Sequence, residues 1–237
     1  MQVPLPAISP VPPLRKSRMH ADERHRQLLR VAIDVFARNG FSGTKTKDIA
    51  AAAGVSEAIL FRHFATKEDL YHAILDMKED KAGLEERSRN LQALMEARDD
   101  QGVIALIGRG IFASFGEDPA FHRLMMYASL EGHIMANLFK ERFVLPTGQL
   151  LVKYISQRQA EGGLRAGDPQ VAVLFALGAN VHYAMSRHIF GAKRPAGGDE
   201  SVLAELTRLT LAALTVSSVE PAKFPVKENQ KGSHAKS

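Results

Sequence analysis

Apolar residues recur three and four positions apart from about residue 22 to residue 216, and nowhere does the chain sustain the alternation by two of a half-buried strand. This period commits the chain to an all-α fold, in which each helix hides its apolar stripe against another. The first helix runs from about Asp22 to Asn39, with Leu29, Ala32, Ile33 and Phe36 on one face and Gly40 as its stop. A short polar link leads to Thr46, after which Lys47 to Ala53 turn Ile49, Ala50 and Ala53 inward. Gly54 allows a left-handed break, and Ser56 caps a second short helix that reaches Phe64. Thr66 and Asp69 make an acidic capping box at the head of a longer helix holding Leu70, Tyr71, Ile74, Leu75 and Met77. Asp118-Pro119 and Asp168-Pro169 mark two further helix starts. Pro146 should kink or break a long pattern from about Glu131 to Gln159; a Gly/Pro loop at 191–199 precedes a last helix from about Glu200 to Val216.

Two short helices joined by a tight turn at Gly54-Val55 have the spacing of a DNA-binding helix-turn-helix, although an ordinary αα-hairpin shares that periodicity. The alanines at 50 to 53 permit a close crossing, while Val55, Ile59, Leu60 and Phe64 supply a small core. The residues themselves say more. The run FSGTKTKDIAAAAGVSEAILFRHFATKEDL, Phe41 to Leu70, closely resembles the N-terminal signature of TetR-family regulators. With the preceding helix, the likeness extends without a gap over about residues 24 to 75.

That resemblance implies an N-terminal three-helix helix-turn-helix domain at 21–66 and a larger helical ligand-sensing and dimerisation domain at 67–218. The function it implies is a sequence-specific transcriptional regulator, a repressor released from a palindromic double-stranded operator by a small molecule. The DNA-binding residues it points to are Thr44, Thr46, Lys47, Ser56, Glu57, Ala58, Phe61, Arg62, His63 and Lys67. Thr46 and Lys47 would meet phosphate at the start of the first motif helix. Ser56, Glu57, Ala58 and Arg62 would face the groove, and His63 and Lys67 would contact the backbone, which positions without specifying sequence. Two positions depart from the family pattern. Phe61 stands where tyrosine is usual, losing a phenolic hydrogen bond but able to touch a thymine methyl; Glu57 replaces a lysine or other polar residue and is unfavourable near phosphate unless it accepts from a cytosine amino group.

Charge and composition bound the alternatives. Residues 1–78 hold 12 Lys+Arg against 8 Asp+Glu, and 79–218 hold 15 against 16, so the basic excess lies at the head and, more weakly, in the tail. A basic head on a near-neutral body suits a polyanion-binding module. The 45% hydrophobic content is that of a globular chain. With no cysteine, disulfides, thiolate catalysis and cysteine-containing zinc sites are excluded. Residues 1–20, a proline-rich arm with Arg15, Lys16 and Arg18, and the polar tail at 219–237 are expected to be disordered. The apolar stretch Val171 to Val181 is about half of what a bilayer requires, and the N-terminus lacks an apolar signal core. A cytoplasmic protein without membrane attachment is expected.

In the body, Leu174, Phe175, Gly178 and Val181, with Leu206, Leu209 and Ala213 of the last helix, form stripes suited to a four-helix bundle between two subunits. Phe112, Phe115, Met125, Met126, His133 and Phe139 are candidates for an effector pocket, since methionine and aromatic side chains line adaptable apolar cavities. No cofactor or metal is expected, and no H-E-x-x-H, P-loop or G-x-S-x-G motif points to an enzyme. A helical adaptor for protein partners would explain the bundle but not the complete motif from Thr44 to Lys67.

Overall fold

In the computed structural model, residues 21–78 and 81–215 are described, without the side chains of 81–84. The expected arm at 1–20 and tail at 219–237, together with Val216, lie outside these residues. The elements in order are α1 (Ala21–Gly43), α2 (Thr46–Ala52), α3 (Glu57–His63), α4 (Lys67–Lys78), α5 (Lys81–Glu96), α6 (Asp100–Glu117), α7 (Pro119–Leu130), α8 (Ile134–Phe139), a π turn (Lys140–Val144), α9 (Leu145–Ala160), α10 (Pro169–His188) and α11 (Gly198–Leu214). Among the described residues the only strand-like pairing is a lone bridge between Leu164 and Thr215. No helix among them is long and apolar enough to cross a membrane.

The punctuation acts as the sequence predicts, with some shifts. Gly40 breaks α1 with φ 70° and ψ 177°. Thr46 is the first residue of α2 and not its cap; Lys45 stands at that position, its N–H donating to Asp48 Oδ2 at 3.3 Å. Ser56 Oγ accepts from Ile59 N at 3.4 Å, and the Thr66–Asp69 box closes in both directions at 3.0 Å. Asp118 and Asp168 cap α7 and α10, each with proline in the first turn. The pattern from Glu131 to Gln159 divides earlier than Pro146 alone predicts, because Gly132 turns at φ 64° and the π turn intervenes before α9.

The chain forms two compact units, one containing residues up to Leu84 with Asp118–Glu141, the other Glu85–Glu117 with residues from Arg142 onward. This grouping differs from the expected division at 66/67. Helix α4 packs on α1, and α7 lies along α1 more extensively than any other element does, so both go with the helix-turn-helix. The first core is assembled from Leu28, Ala32 and Phe36 of α1, Ile49 of α2, Leu60 of α3, Tyr71 and Ile74 of α4, and Leu124 of α7, all essentially inaccessible. Burial of each leucine, isoleucine or phenylalanine among them stabilises by about 1.5–3 kcal/mol before the ordering cost is subtracted.

In the second unit α10 packs on α6, α9 and α11. Its core comprises Leu91, Met95, Val103, Leu151, Tyr154, Ile155, Leu164, Ala172 and Val173. A polar clasp ties α9 to the start of α6: Tyr154 Oη donates to Asp100 Oδ1 at 2.5 Å, and Arg158 donates to the same carboxylate through Nε at 2.9 Å and through a terminal nitrogen at 3.0 Å. Where α6 meets α10, Gly108 leaves room for Asn180, whose Oδ1 lies 2.6 Å from where a Cβ would stand.

Gly40 is the backbone position least tolerant of a side chain. Its φ/ψ is essentially restricted to glycine, and a Cβ there would lie 2.4 Å from Glu131 Oε1. Gly40→Ala is expected to lower the unfolding free energy by about 1–3 kcal/mol in urea titrations. Gly54→Asn, at φ 66° with open space around it, should cost less than about 1 kcal/mol, since asparagine tolerates that region.

Candidate nucleic-acid interface

Helices α2 and α3 meet through a turn in which Gly54 N donates to Ala51 O at 3.1 Å and Val55 N to Ala50 O at 3.0 Å. Their inner faces, Ile49, Ala50, Ala53, Leu60 and Phe64, are buried. The opposite face of α3 is thereby turned to solvent, and Ser56, Glu57, Ala58, Phe61 and Arg62 are exposed along it. Phe61 is 46% accessible, unusual for a phenyl ring. Lys47 is exposed on α2. These six residues stand on the surface as the sequence predicts.

The other four are placed differently. Thr44 is buried, its hydroxyl donating to Gly40 O at 2.7 Å, so its side chain belongs to the corner after α1 and not to a phosphate-contacting surface. Lys67 is half-buried; its Nζ donates to Thr44 O at 2.8 Å and sits 4.0 Å from the centre of the Phe41 ring. The cation expected at the DNA backbone thus ties the head of α4 to the start of the motif. His63 is half-buried beside His25, with ring centres 5.9 Å apart. Thr46 Oγ1 donates to Glu57 Oε1 at 2.7 Å, which joins the first residues of the two motif helices. Sequence reasoning treated Thr46 and Glu57 separately, although a helix-turn-helix brings its two helix starts close and the Thr/Glu pairing was there to be read.

A second contact had no local signal. Glu131, in the turn between α7 and α8, accepts from Phe41 N at 3.1 Å, ninety residues away in sequence. Next to it His133 packs on Phe41 and Tyr71, with centroids 4.2 and 5.0 Å away, and its Nδ1 caps α8 by accepting from Met135 N at 3.2 Å.

The expected effector-pocket residues do not line the cavity found in the second unit. That cavity, about 30 Å³ and almost wholly apolar, is bordered by Val103, Ile107, Leu151, Tyr154, Val173 and Leu214 among others. Its size is roughly that of one water molecule. Met125 is buried in the first unit, where Phe139 also packs on Phe121 with centroids 5.6 Å apart and Met126 is half-buried. His133 is engaged as described. In the second unit Phe112 stacks on Tyr183 and meets His188 at a tilt, and Phe115 is half-buried on α6. The first unit also carries an open groove of about 380 Å³, where Arg30, Asp34 and the ion-paired Lys78 and Asp118 surround Ile33 and Met77. No cluster able to hold a metal ion occurs among the described residues.

The class defined by these elements is an all-α protein with an N-terminal helix-turn-helix and a further helical unit. Residues 28–74 match the family described as bacterial regulatory proteins, tetR family. The likeness to this family is carried by residues 28–74, from α1 through most of α4. The chain is 36% identical over 69 residues to the HTH-type transcriptional regulator AcrR of Shigella flexneri, 29% of this chain and 32% of that protein. It is 32% identical over 111 residues to the HTH-type transcriptional activator FasR of Mycolicibacterium smegmatis, 47% of this chain and 49% of that protein. The chain thus spans half or less of the length of these relatives. The fold is shared more widely: the ketosteroid transcriptional regulator KstR2 of Mycobacterium tuberculosis superposes with a TM-score of 0.56 at 18% identity, covering 84% of this chain and 98% of that one. A TetR-like regulator from Rhodococcus sp. RHA1 does so at 0.57 and 22% identity, covering 82% and 99%.

Two histidines of the first unit resist protonation. Burial, then His25, Arg62 and Arg24, hold His63 below its ordinary 6.5. Burial also lowers His133, with His72 and Lys67 adding to it, against the opposing pull of Glu131 and Glu68. The unfolded chain takes up these protons near pH 6.5 while the folded chain does not, so their contribution is complete above that pH and declines as pH falls toward the lowered folded values. The urea midpoint is therefore expected to drop between pH 7.5 and 5.5, and to drop less in a His63→Asn, His133→Asn variant, in which asparagine can still cap α8.

Proposed function

We infer that the chain is a sequence-specific DNA-binding transcriptional regulator that acts as a homodimer on a palindromic operator and is released from it by a small molecule. The observation that carries this reading is the exposed face of α3: Glu57, Ala58, Phe61 and Arg62 project from a short helix anchored by Leu60 and Phe64, with Lys47 exposed on the preceding helix. Neither Lys47 nor Arg62 forms an ion pair among the described residues, so both cations are available to phosphate or to guanine. The family's regulatory proteins supply the class of activity.

Dimerisation is supported by a second surface. Helix α10 leaves Leu174 71% and Phe175 53% accessible, with Val171 and Gly178 exposed beside them, and α11 exposes Leu209 and Ala213. Val181 and Leu206 are half-buried at the margin of these stripes. Apolar side chains in such continuity mark an interface. A two-fold dimer also presents two recognition helices to half-sites about one DNA turn apart, which makes the operator palindromic.

The effector is a small, largely apolar molecule. The cavity of the second unit has the right lining but not the volume, so the effector must bind a more open state; by linkage it weakens operator binding only insofar as it prefers the DNA-incompetent state. Repression is the direction we assign, by occlusion of a promoter. The relative FasR is named an activator, so a reporter assay must read the sign directly.

Selection from a random duplex library with the purified chain is expected to enrich a palindrome, and a Lys47→Ala, Arg62→Ala variant to enrich none. Leu174→Glu should sediment at half the wild-type mass and bind the palindrome no better than one half-site. A wild-type chain that enriches no sequence at low salt would refute the reading.

A further inference from the structure

We propose that Glu57 and Phe61 form a reading pair for a cytosine and a nearby thymine in each half-site. This rests on the DNA-binding reading above and deepens it by naming the base edges. The two residues are four positions apart on α3, so they lie on one face about 6 Å apart along the axis. Base pairs follow at about 3.4 Å, and the pair therefore spans roughly two base steps.

The chemistry of each side chain selects its base. A carboxylate among phosphates is repelled unless it accepts a hydrogen bond. In the major groove guanine presents the acceptors N7 and O6, thymine presents O4, adenine sets its amino group beside N7, and cytosine offers its N4 amino donor alone. Cytosine is thus the base from which Glu57 can accept without facing a lone pair. Its carboxylate is also oriented in advance: the Thr46 hydroxyl holds Oε1 at 2.7 Å, which leaves Oε2 to a base. Thr46 is a positioning residue in this scheme, spending on Glu57 the proton that would otherwise meet a phosphate.

Phe61 has neither donor nor acceptor, is 46% accessible, and makes no ring contact among the described residues. The apolar group on the floor of the major groove is the thymine 5-methyl. Covering the ring with that methyl removes exposed apolar area on both sides.

The test begins from duplexes selected by the full chain, which should carry C·G and T·A within two base steps in each half-site. Replacing that thymine by uracil, which deletes only the methyl, is expected to weaken wild-type binding several-fold and to leave Phe61→Ala unaffected. Replacing the C·G pair by T·A should cost about tenfold, and Glu57→Gln should shift the preference at that position to adenine, whose N6 and N7 a glutamine amide pairs. Thr46→Val should blunt the cytosine preference, and Thr46→Ser should restore it. An enriched palindrome lacking the cytosine and thymine, or equal sensitivity to uracil in wild type and Phe61→Ala, would overturn the reading pair while DNA binding stands. No enrichment with no salt-dependent binding would overturn both.

Discussion

The geometry of the two motif helices depends on the corner at Gly40 to Thr44. There the chain leaves α1 through a backbone conformation restricted to glycine, and two separated parts of the first unit, together with a bond inside the corner, hold it. Glu131 accepts from Phe41 N, Lys67 donates to Thr44 O while covering the Phe41 ring, and the Thr44 hydroxyl returns to Gly40 O. The three hydrogen bonds add to the turn's own backbone bond from Thr44 N to Phe41 O, and an unmet backbone group costs about as much as a lost hydrogen bond. The direction in which α2 departs, and with it the face that α3 presents, follows from this corner. The Thr46–Glu57 bond then fixes the two short helices to each other.

Much of the fold was legible because the signals are local. Gly40, Gly54, Ser56, the Thr66–Asp69 box and the two Asp-Pro starts act through their own backbone or that of residues within a turn, and each falls within a residue or two of its expected place. What could not be read depends on residues brought together over long separations. Glu131 meets Phe41 only once α7 lies along α1, and Asp100 receives Arg158 only once α6 and α9 have both packed on α10. Nothing local in Pro119 to Leu130 announces that α7 packs along α1.

The candidate site divides similarly. Residues chosen for an exposed face of α3 are on it, because the period that buries Leu60 and Phe64 leaves Glu57, Phe61 and Arg62 outside. Thr44 and Lys67, carried over from the family pattern, serve this chain's own corner, and a polar residue's position in a motif does not disclose whether it is spent within the molecule. The effector candidates were picked by composition, and methionines and aromatics on a helix fill a core as readily as they line a pocket. Of the six, Met125 is fully buried and the other five are half-buried. The cavity among α6, α9 and α10 is small and apolar.

Operator binding requires that the exposed cations of the motif engage phosphate and guanine. The most direct measurement is the affinity of the full chain for its selected duplex as a function of salt, for the wild type and for Lys47→Ala. Phosphate neutralisation predicts a linear fall of log affinity with log salt, about 0.9 for each phosphate engaged, and a slope shallower by about one in the variant. An affinity independent of salt, or an identical slope for the two proteins, would contradict the placement of this surface on DNA.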